Sequence, residues 1–560
     1  MKSNHRPHWK IFPPTPEEYS NAVSLHPLIT QLLYNRGVAR DEVCYFLTKP
    51  CILDDDPFLF TDMSKAVDRI KKAIDSGEKI AIYGDFDVDG ITATLVLEEG
   101  LSWLGTNITH YIPDRLLEGH GQLLSLKKLH EQGNNLVITV DCGITALREV
   151  KNAQEDGLDI IITDHHTPLA TLPQAIAVIN AKRNNSQYPF LELAGVGVAF
   201  KLLQALYMND DKKERLTELL DLVALGSVAD MVPLVGENRH LVKEGLKVLN
   251  RTKRIGLKEL IRISRLEPGK LDAKSIGWFL GPRINAASRL GNAEISYELL
   301  TTNTLIQAVE LATKLEETNA ERQILTKDTL SFVKEKLAGK KDIPLLMESD
   351  ESYSIGIIGL VAGKLVDEFH KPAIVVSIGS DGCHGSARSI PEFNLTTALG
   401  QCQDLLTTFG GHPLAAGFTV SRQNLAQLEN SLQKIAIDKL SQIDLRPVLN
   451  IDAEIPLSTL TGDTINLIQQ LEPFGQGNPH PVFLTKKTKV KKCYNFGNSN
   501  NYLKLELQQG DVSWQAVSFH SHMRQAEIPD YIDIVYNLEK RRWKGEEILQ
   551  INLIDFVPSA

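Results

Sequence analysis

The sequence predicts an α/β protein, two α/β lobes joined by a long helix, with a small β-barrel at the C-terminal end. Three patterns predict it. Between Lys79 and about Asn180, short β-branched runs alternate with helix-like segments, the arrangement of a parallel sheet covered by helices on both faces. From Leu305 to Leu337 the chain is charged, glycine-free and helix-patterned, as a connector between lobes should be. Beyond about Arg446, short alternating runs broken by turn residues replace that pattern and suggest a barrel.

Taken in order, residues 1–60 read as a short helical or irregular lead-in. The first lobe spans 61–300, the connecting helix 301–340, the second lobe 341–440 and the barrel 446–560. A chain of 560 residues is too long for one compact core, so several domains are expected. Hydrophobic residues make up 42% and charged residues 23%, ordinary for a globular protein. No stretch is long and apolar enough to predict a membrane span, and the polar, proline-broken start predicts no secretory leader. The 6 cysteines form no CxxC pair, which argues against a zinc knuckle or a disulfide framework and for a reducing cytoplasm. A formal net charge of -10 argues against a protein that coats nucleic acid nonspecifically, but leaves room for an enzyme with a local basic track.

Acids and histidines concentrate where elements end. Asp85, Asp87 and Asp89 alternate after the strand at Lys79, and Asp141 follows the run at Leu136. Asp164, His165 and His166 follow the run at Asp159, and Asp230 ends a helix-like segment. In a parallel sheet the carboxyl ends of the strands share one edge, where ligands bind. Five or more carboxylates gathered there repel one another unless cations lie between them. Carboxylates with imidazoles and no thiolate suit Mn²⁺ or Mg²⁺. A carboxylate bridging two ions gives the two-metal arrangement of phosphoryl displacement. A lone Asp after a strand usually caps a helix, and Asp164 has the alternative of orienting its neighbours.

The segments GDFDVDG, VDCG, TDHH and SVADMVPL resemble, in order and spacing, the motifs of the DHH phosphoesterase superfamily. GPRINAASRLG, HGSARS and GGHPLAAG resemble those of bacterial RecJ exonucleases, and the likeness continues through EPFGQGNPHPVF into the tail. This resemblance implies a DHH catalytic domain, a DHHA1-like substrate-binding domain and an OB-like nucleic-acid-binding barrel. It implies two Mn²⁺ or Mg²⁺ ions, with Asp87 and Asp89 on different metals and Asp141 between them. His165 and Asp230 are implied as further ligands, and His166 as a ligand or phosphate contact. Many superfamily members carry a histidine where this chain has Tyr83, so Asp85 or water is expected to fill that coordination.

On the substrate side, Arg283, Asn285 and Arg289 offer cationic and amide groups to phosphate oxygens. Small residues beside Ser386 and Arg388 permit close approach of a phosphate, and His412 follows a glycine pair. Arg115 is a further candidate. Tyr494, Phe496, Tyr502, Trp514 and Trp543 lie among lysines and arginines in the tail, a composition that suits a single-strand platform. The resemblance implies 5′ to 3′ degradation of single-stranded DNA in recombination and repair, by a monomer working with a single-strand-binding protein and a repair helicase. Two alternatives are a DHH phosphodiesterase for oligoribonucleotides or small nucleotides, and an inactive binding scaffold.

Overall fold

The computed structural model describes residues 6–48, 56–115, 117–339, 343–380, 382–497, 502–518, 528–543 and 546–559, with side chains 541–548 excepted. The chain divides into two compact units. One holds Asp55–Val232 and Glu244–Pro447, the other Pro7–Asp54, Pro233–Lys243 and Val448–Ala560.

The larger unit begins with an all-parallel sheet of β1 (Lys79–Tyr83), β2 (Asn107–Tyr111), β3 (Leu136–Val140), β4 (Asp159–Thr163) and β5 (Ala177–Ile179). Their order is β2-β1-β3-β4-β5. Every residue of β3 is buried, as the continuous apolar run LVITV requires of a strand covered on both faces. The chain reverses direction across the sheet between β1 and β3, and that switch point is where such sheets bind ligands. Helices α1 (Val88–Ser102), α2 (Gly195–Leu206) and α3 (Leu220–Ala229) pack beside it, buried almost throughout. Helix α4 (Gly281–Leu290) follows.

Helix α5 (Leu305–Leu337) has 33 residues and is capped by Thr304, whose side chain accepts from Gln307 N. Its C-terminal Val333 and Leu337 share a core with Leu346, Ile357 and Val361 of the second lobe. That lobe is a mixed sheet of β6 (Leu346–Asp350), β7 (Ala373–Ile378), β8 (Cys383–Arg388), β9 (Leu406–His412) and β10 (Ala415–Val420), in the order β9-β10-β8-β7-β6. Only β6 and β7 run parallel. Helix α6 (Ile355–Phe369) lies between them in sequence.

The smaller unit contains a closed barrel of β11 (Phe483–Phe496), β12 (Tyr502–Gln509), β13 (Val512–Ser518), β14 (Tyr531–Trp543) and β15 (Glu546–Pro558). Strand β11 pairs with both β12 and β14, which closes the circle. The N-terminal segment is no separate lead-in. His8–Ile11 pairs in parallel with Val448–Ile451, and Tyr19, Leu28, Ile29 and Leu33 share a core with Leu457, Phe483 and Ile532. Arg239, fully buried, donates to the carbonyls of Phe46 and Leu471 and so ties three distant segments together. Pairing of residue 8 with residue 448 leaves no local signal in the sequence. No described helix is long and apolar enough to cross a membrane.

Candidate metal centre

The acids converge at the switch point. Asp87 caps α1, its Oδ1 accepting from Asp89 N at 3.0 Å and Gly90 N at 3.2 Å. Asp89, one step into the helix, accepts from Gly195 N at 2.6 Å and Val196 N at 2.8 Å, the first amides of α2. Asp141 leaves β3 with φ 60°, a left-handed conformation that short polar residues tolerate better than most. Asp230 ends α3. Asp164 Oδ2 accepts from Ile144 N, and its Oδ1 accepts from the amides of His165 and His166 and from His166 Nδ1 at 2.8 Å. Asp164 therefore orients the His166 imidazole, holds the backbone at His165 and His166, and is itself fully engaged. Because a carboxylate only accepts, His166 Nδ1 is the donor in this bond.

Among the described residues, three clusters have ligand atoms within 4.8 Å of one another: Asp85 with Asp87 and Asp141, Asp141 with His165 and His166, and Asp89 with His165 and Asp230. Asp141 and His165 each belong to two of them. His165 Nε2 stands 3.1 Å from Asp141 Oδ1 and 3.7 Å from Asp230 Oδ2. Asp141 Oδ1, His165 Nε2 and Asp85 Oδ1 are nonetheless buried without a hydrogen-bond partner. Buried polar atoms without partners are costly, and three of them facing one crevice fit a divalent cation. Oxygen and imidazole donors without thiolate fit Mn²⁺ or Mg²⁺.

Electrostatics agree. Burial, then the neighbouring Asp87, pushes the Asp89 carboxyl up to about 7. Burial and the other acids also raise Asp141 and Asp230 well above the usual range. Burial pushes the His165 imidazole down, helped by His166, and so keeps it neutral as a ligand must be. A carboxyl raised from 3.8 to about 7 holds its proton longer in the folded chain than in the unfolded one. Stability of the metal-free protein should therefore fall as pH rises across that window, and added Mn²⁺ should restore it most above about 7. Melting curves with chelator and with excess Mn²⁺, taken across that range, check this. Metal-independent curves would remove the centre.

The substrate-side candidates separate. Arg388 Nη1 donates to Ser386 Oγ at 3.3 Å and to the Ala387 carbonyl. A Cβ on Gly359 of α6 would meet that Ser386 oxygen at 2.9 Å, so the helix makes room for the pair. Arg289 donates to the Gly356 carbonyl at 3.2 Å. Burial pushes its guanidinium down to about 9, with Arg115, Arg322 and Arg388 adding repulsion. Arg115 lies 4.8 Å over the Phe86 ring and feels Asp87 and Asp85. Arg115, Arg289 and Arg388 thus form a half-buried cationic group beside the acids. His412, at the β9 hairpin end, stacks with His166 at 6.3 Å and 19°.

Two further candidates bond within the protein. Arg283 is held by Glu316 of α5 and the Phe279 carbonyl, so its guanidinium does not join the cationic group. Asn285 Oδ1 accepts from Val88 N at 3.1 Å and so braces the acidic loop between Asp87 and Asp89. Tyr83 is buried, its ring 5.1 Å from Tyr111 and its hydroxyl toward Glu118. In the barrel, Tyr494 and Tyr502 are exposed, whereas Trp514 packs on the core. The Trp543 side chain lies outside the described residues.

His120 escaped the sequence reading. Its Nδ1 is 3.1 Å from Asp85 Oδ2 and its ring 4.7 Å from that of His166. Asp85, chiefly, pushes the His120 imidazole up to about 9. The one available signal was a histidine between two glycines, five residues after Arg115.

The chain matches the DHH family, N-terminal domain, over residues 79–227, the DHHA1 domain over 342–440 and the RecJ OB domain over 451–555. It is 37% identical over 561 residues to the single-stranded-DNA-specific exonuclease RecJ of Bacillus subtilis, covering 98% of this chain and 70% of that protein. To the protein of the same description from Haemophilus influenzae it is 31% identical, covering 96% of this chain and 97% of the relative. The crystal structure of RecJ in complex with Mn²⁺ from Thermus thermophilus superposes with a TM-score of 0.83 at 28% identity, over 99% of this chain and 80% of that one. A Mg²⁺ complex from the same source gives 0.77 at 27% identity, over 99% and 79%.

Proposed function

Because the chain belongs to the RecJ family of DHH-domain exonucleases, we propose that it is a metal-dependent exonuclease that hydrolyses single-stranded DNA from the 5′ end, in recombination and repair. The observation that carries this reading is the juxtaposition of partnerless metal-seeking atoms with the half-buried arginines. Asp141 Oδ1 and His165 Nε2 stand on one side, and Arg289 and Arg388 crowd one another on the other.

When bound, Mn²⁺ or Mg²⁺ supplies Lewis-acid charge and an activated water. Asp85, Asp87, Asp89, Asp141, His165 and Asp230 would hold the ions, Asp141 and His165 each belonging to two of the ligand clusters. Asp164 fixes His166 through Nδ1, leaving its Nε2 to ligate an ion as a neutral imidazole or to donate to a phosphate oxygen as an imidazolium. Arg115, Arg289, Ser386 and Arg388 grip the phosphate near the strand's end, which relieves the mutual repulsion of the guanidiniums. His412 stacks against His166 from the second lobe and aligns the terminal nucleotide. The OB barrel tracks the rest of the strand through its exposed tyrosines and lysines. Association with a single-strand-binding protein and a repair helicase, and action as a cytoplasmic monomer, complete the reading. Incubating 5′- and 3′-labelled single- and double-stranded DNA with Mn²⁺ tests it. Mononucleotide release from the 5′ label of single strands is expected. Release from the 3′ label first, or equal attack on duplex, would overturn the polarity or the strand preference.

Arg388→Ala should lower kcat/KM by roughly 10- to 100-fold, the loss of one charge-assisted contact of about 1.5–3 kcal/mol. The Mn²⁺ concentration for half-maximal activity should not move, because Arg388 touches Ser386 and Ala387 and no ligand carboxylate. A parallel shift in metal titration and turnover would make the residue structural.

A further inference from the structure

Apart from the acidic crevice, the larger unit carries a cavity of about 700 Å³ lined by Arg262, Ser264, Arg265, Phe279, Arg283 and Glu316. Glu316 is committed to Arg283 and Glu259 to Arg262, at 2.6 Å for the latter pair. Arg265 has no ion-pair partner among the described residues and is held with φ 57°, where glycine or asparagine is usual. The Ser264 hydroxyl is buried without a hydrogen-bond partner, on a residue only 5% exposed. In the lining, Arg262, Arg265 and Arg283 therefore outnumber Glu316, and the Ser264 hydroxyl lacks a hydrogen-bond partner among the described residues.

Next to the cavity, where Phe279 lines it, Ile276–Leu280 forms a π-helical turn, a distortion frequent at functional sites. It turns Trp278 and Phe279 outward, 75% and 38% exposed. The exposed Trp278 indole is one residue from Phe279, which lines the cavity with Arg265. Stacking rings beside cations that reach phosphates are the elements of sequence-tolerant single-strand binding. The cavity opens at the start of α4, the helix that later carries Arg289. The two arginines, 283 and 289, are about 9 Å apart along its axis at 1.5 Å per residue.

We infer that this cavity is a second nucleotide subsite, which takes a base on Trp278 and a phosphate on Arg265 and Ser264, away from the reacting end. The inference rests on the exonuclease reading. It is tested in the full chain with Trp278→Ala and Arg265→Ala, singly and together, using a trinucleotide and a long single-stranded oligonucleotide of the same sequence. Circular dichroism first confirms folding, which these exposed positions should not disturb. The double variant should lose about tenfold or more in affinity for the long oligonucleotide. The slope of log affinity on log salt should fall by nearly one. The ratio of long-strand to trinucleotide affinity should shrink accordingly. An unchanged ratio in a wild-type background that digests single strands overturns the subsite alone. A wild type that digests none overturns the exonuclease reading, whatever the cavity binds. If an acidic peptide ending in an aromatic residue binds wild type and not the double variant, while DNA affinity is unchanged, the cavity is a protein-docking site and the inference fails.

Discussion

Asp141→Asn is expected to abolish hydrolysis, by on the order of 10³- to 10⁵-fold, while the protein keeps its fold. Asp141 is the one carboxylate that belongs to the cluster with Asp85 and Asp87 and also to the cluster with His165 and His166. An amide keeps the shape but loses the charge, and one of its two terminal atoms becomes a donor that repels a cation. Both ion positions would be weakened at once. Asparagine is the appropriate replacement because residue 141 has φ 60°. Alanine there adds roughly 1–2 kcal/mol of backbone cost and confuses folding with catalysis, whereas asparagine visits that region readily. Single-turnover digestion of labelled single strands across a Mn²⁺ titration, beside a melting curve, separates the two effects. Activity within about tenfold of wild type at saturating Mn²⁺ would remove Asp141 from its shared position.

Much of this centre was legible because its signals are local. Strands β1, β3 and β4 announce themselves by β-branched runs of five residues, and parallel alternation forces their acidic ends to one edge. Strand order then fixes the β1/β3 switch point, which brings Asp85 and Asp87 to Asp141 without further information. What stayed illegible depends on contacts between segments far apart in sequence. Nothing near Arg283 says that it is spent on Glu316, and nothing near Asn285 says that it braces Val88. His120 gains its meaning only when its loop folds over Asp85. The N-terminal strand finds its partner more than 400 residues later. Helix α2 opens on the Gly195-Val196-Gly197 segment. Its first glycine proves to be part of the metal centre's support.

Gly195→Ala should damage the centre although it adds a better helix former. In a helix interior, alanine is favoured over glycine by about 1 kcal/mol, so propensity alone predicts a neutral or stabilised protein. The geometry predicts the reverse for function. A Cβ at residue 195 would stand 2.5 Å from Asp141 Cβ, 2.6 Å from its Oδ1 and 2.7 Å from its Cγ. Asp141 is short, buried and fixed in a left-handed backbone, so it has little freedom to swing away. The start of α2 must then retreat, and it carries the Gly195 and Val196 amides that hold both oxygens of Asp89. Each such bond to a charged acceptor contributes roughly 1.5–3 kcal/mol, and a displacement of about 1 Å in a reacting geometry is enough to cost about 100-fold. The expected result is a loss of at least that size in kcat/KM with a raised Mn²⁺ requirement and a melting temperature close to wild type. Gly197→Ala is the matched control on the same helix, since its nearest neighbour is the Leu193 Cδ2 methyl at 3.2 Å, the end of a flexible side chain. That variant should remain within a few-fold of wild type. Should both variants behave alike, helix α2 would be acting through general packing, and its amides would have no special hold on Asp89.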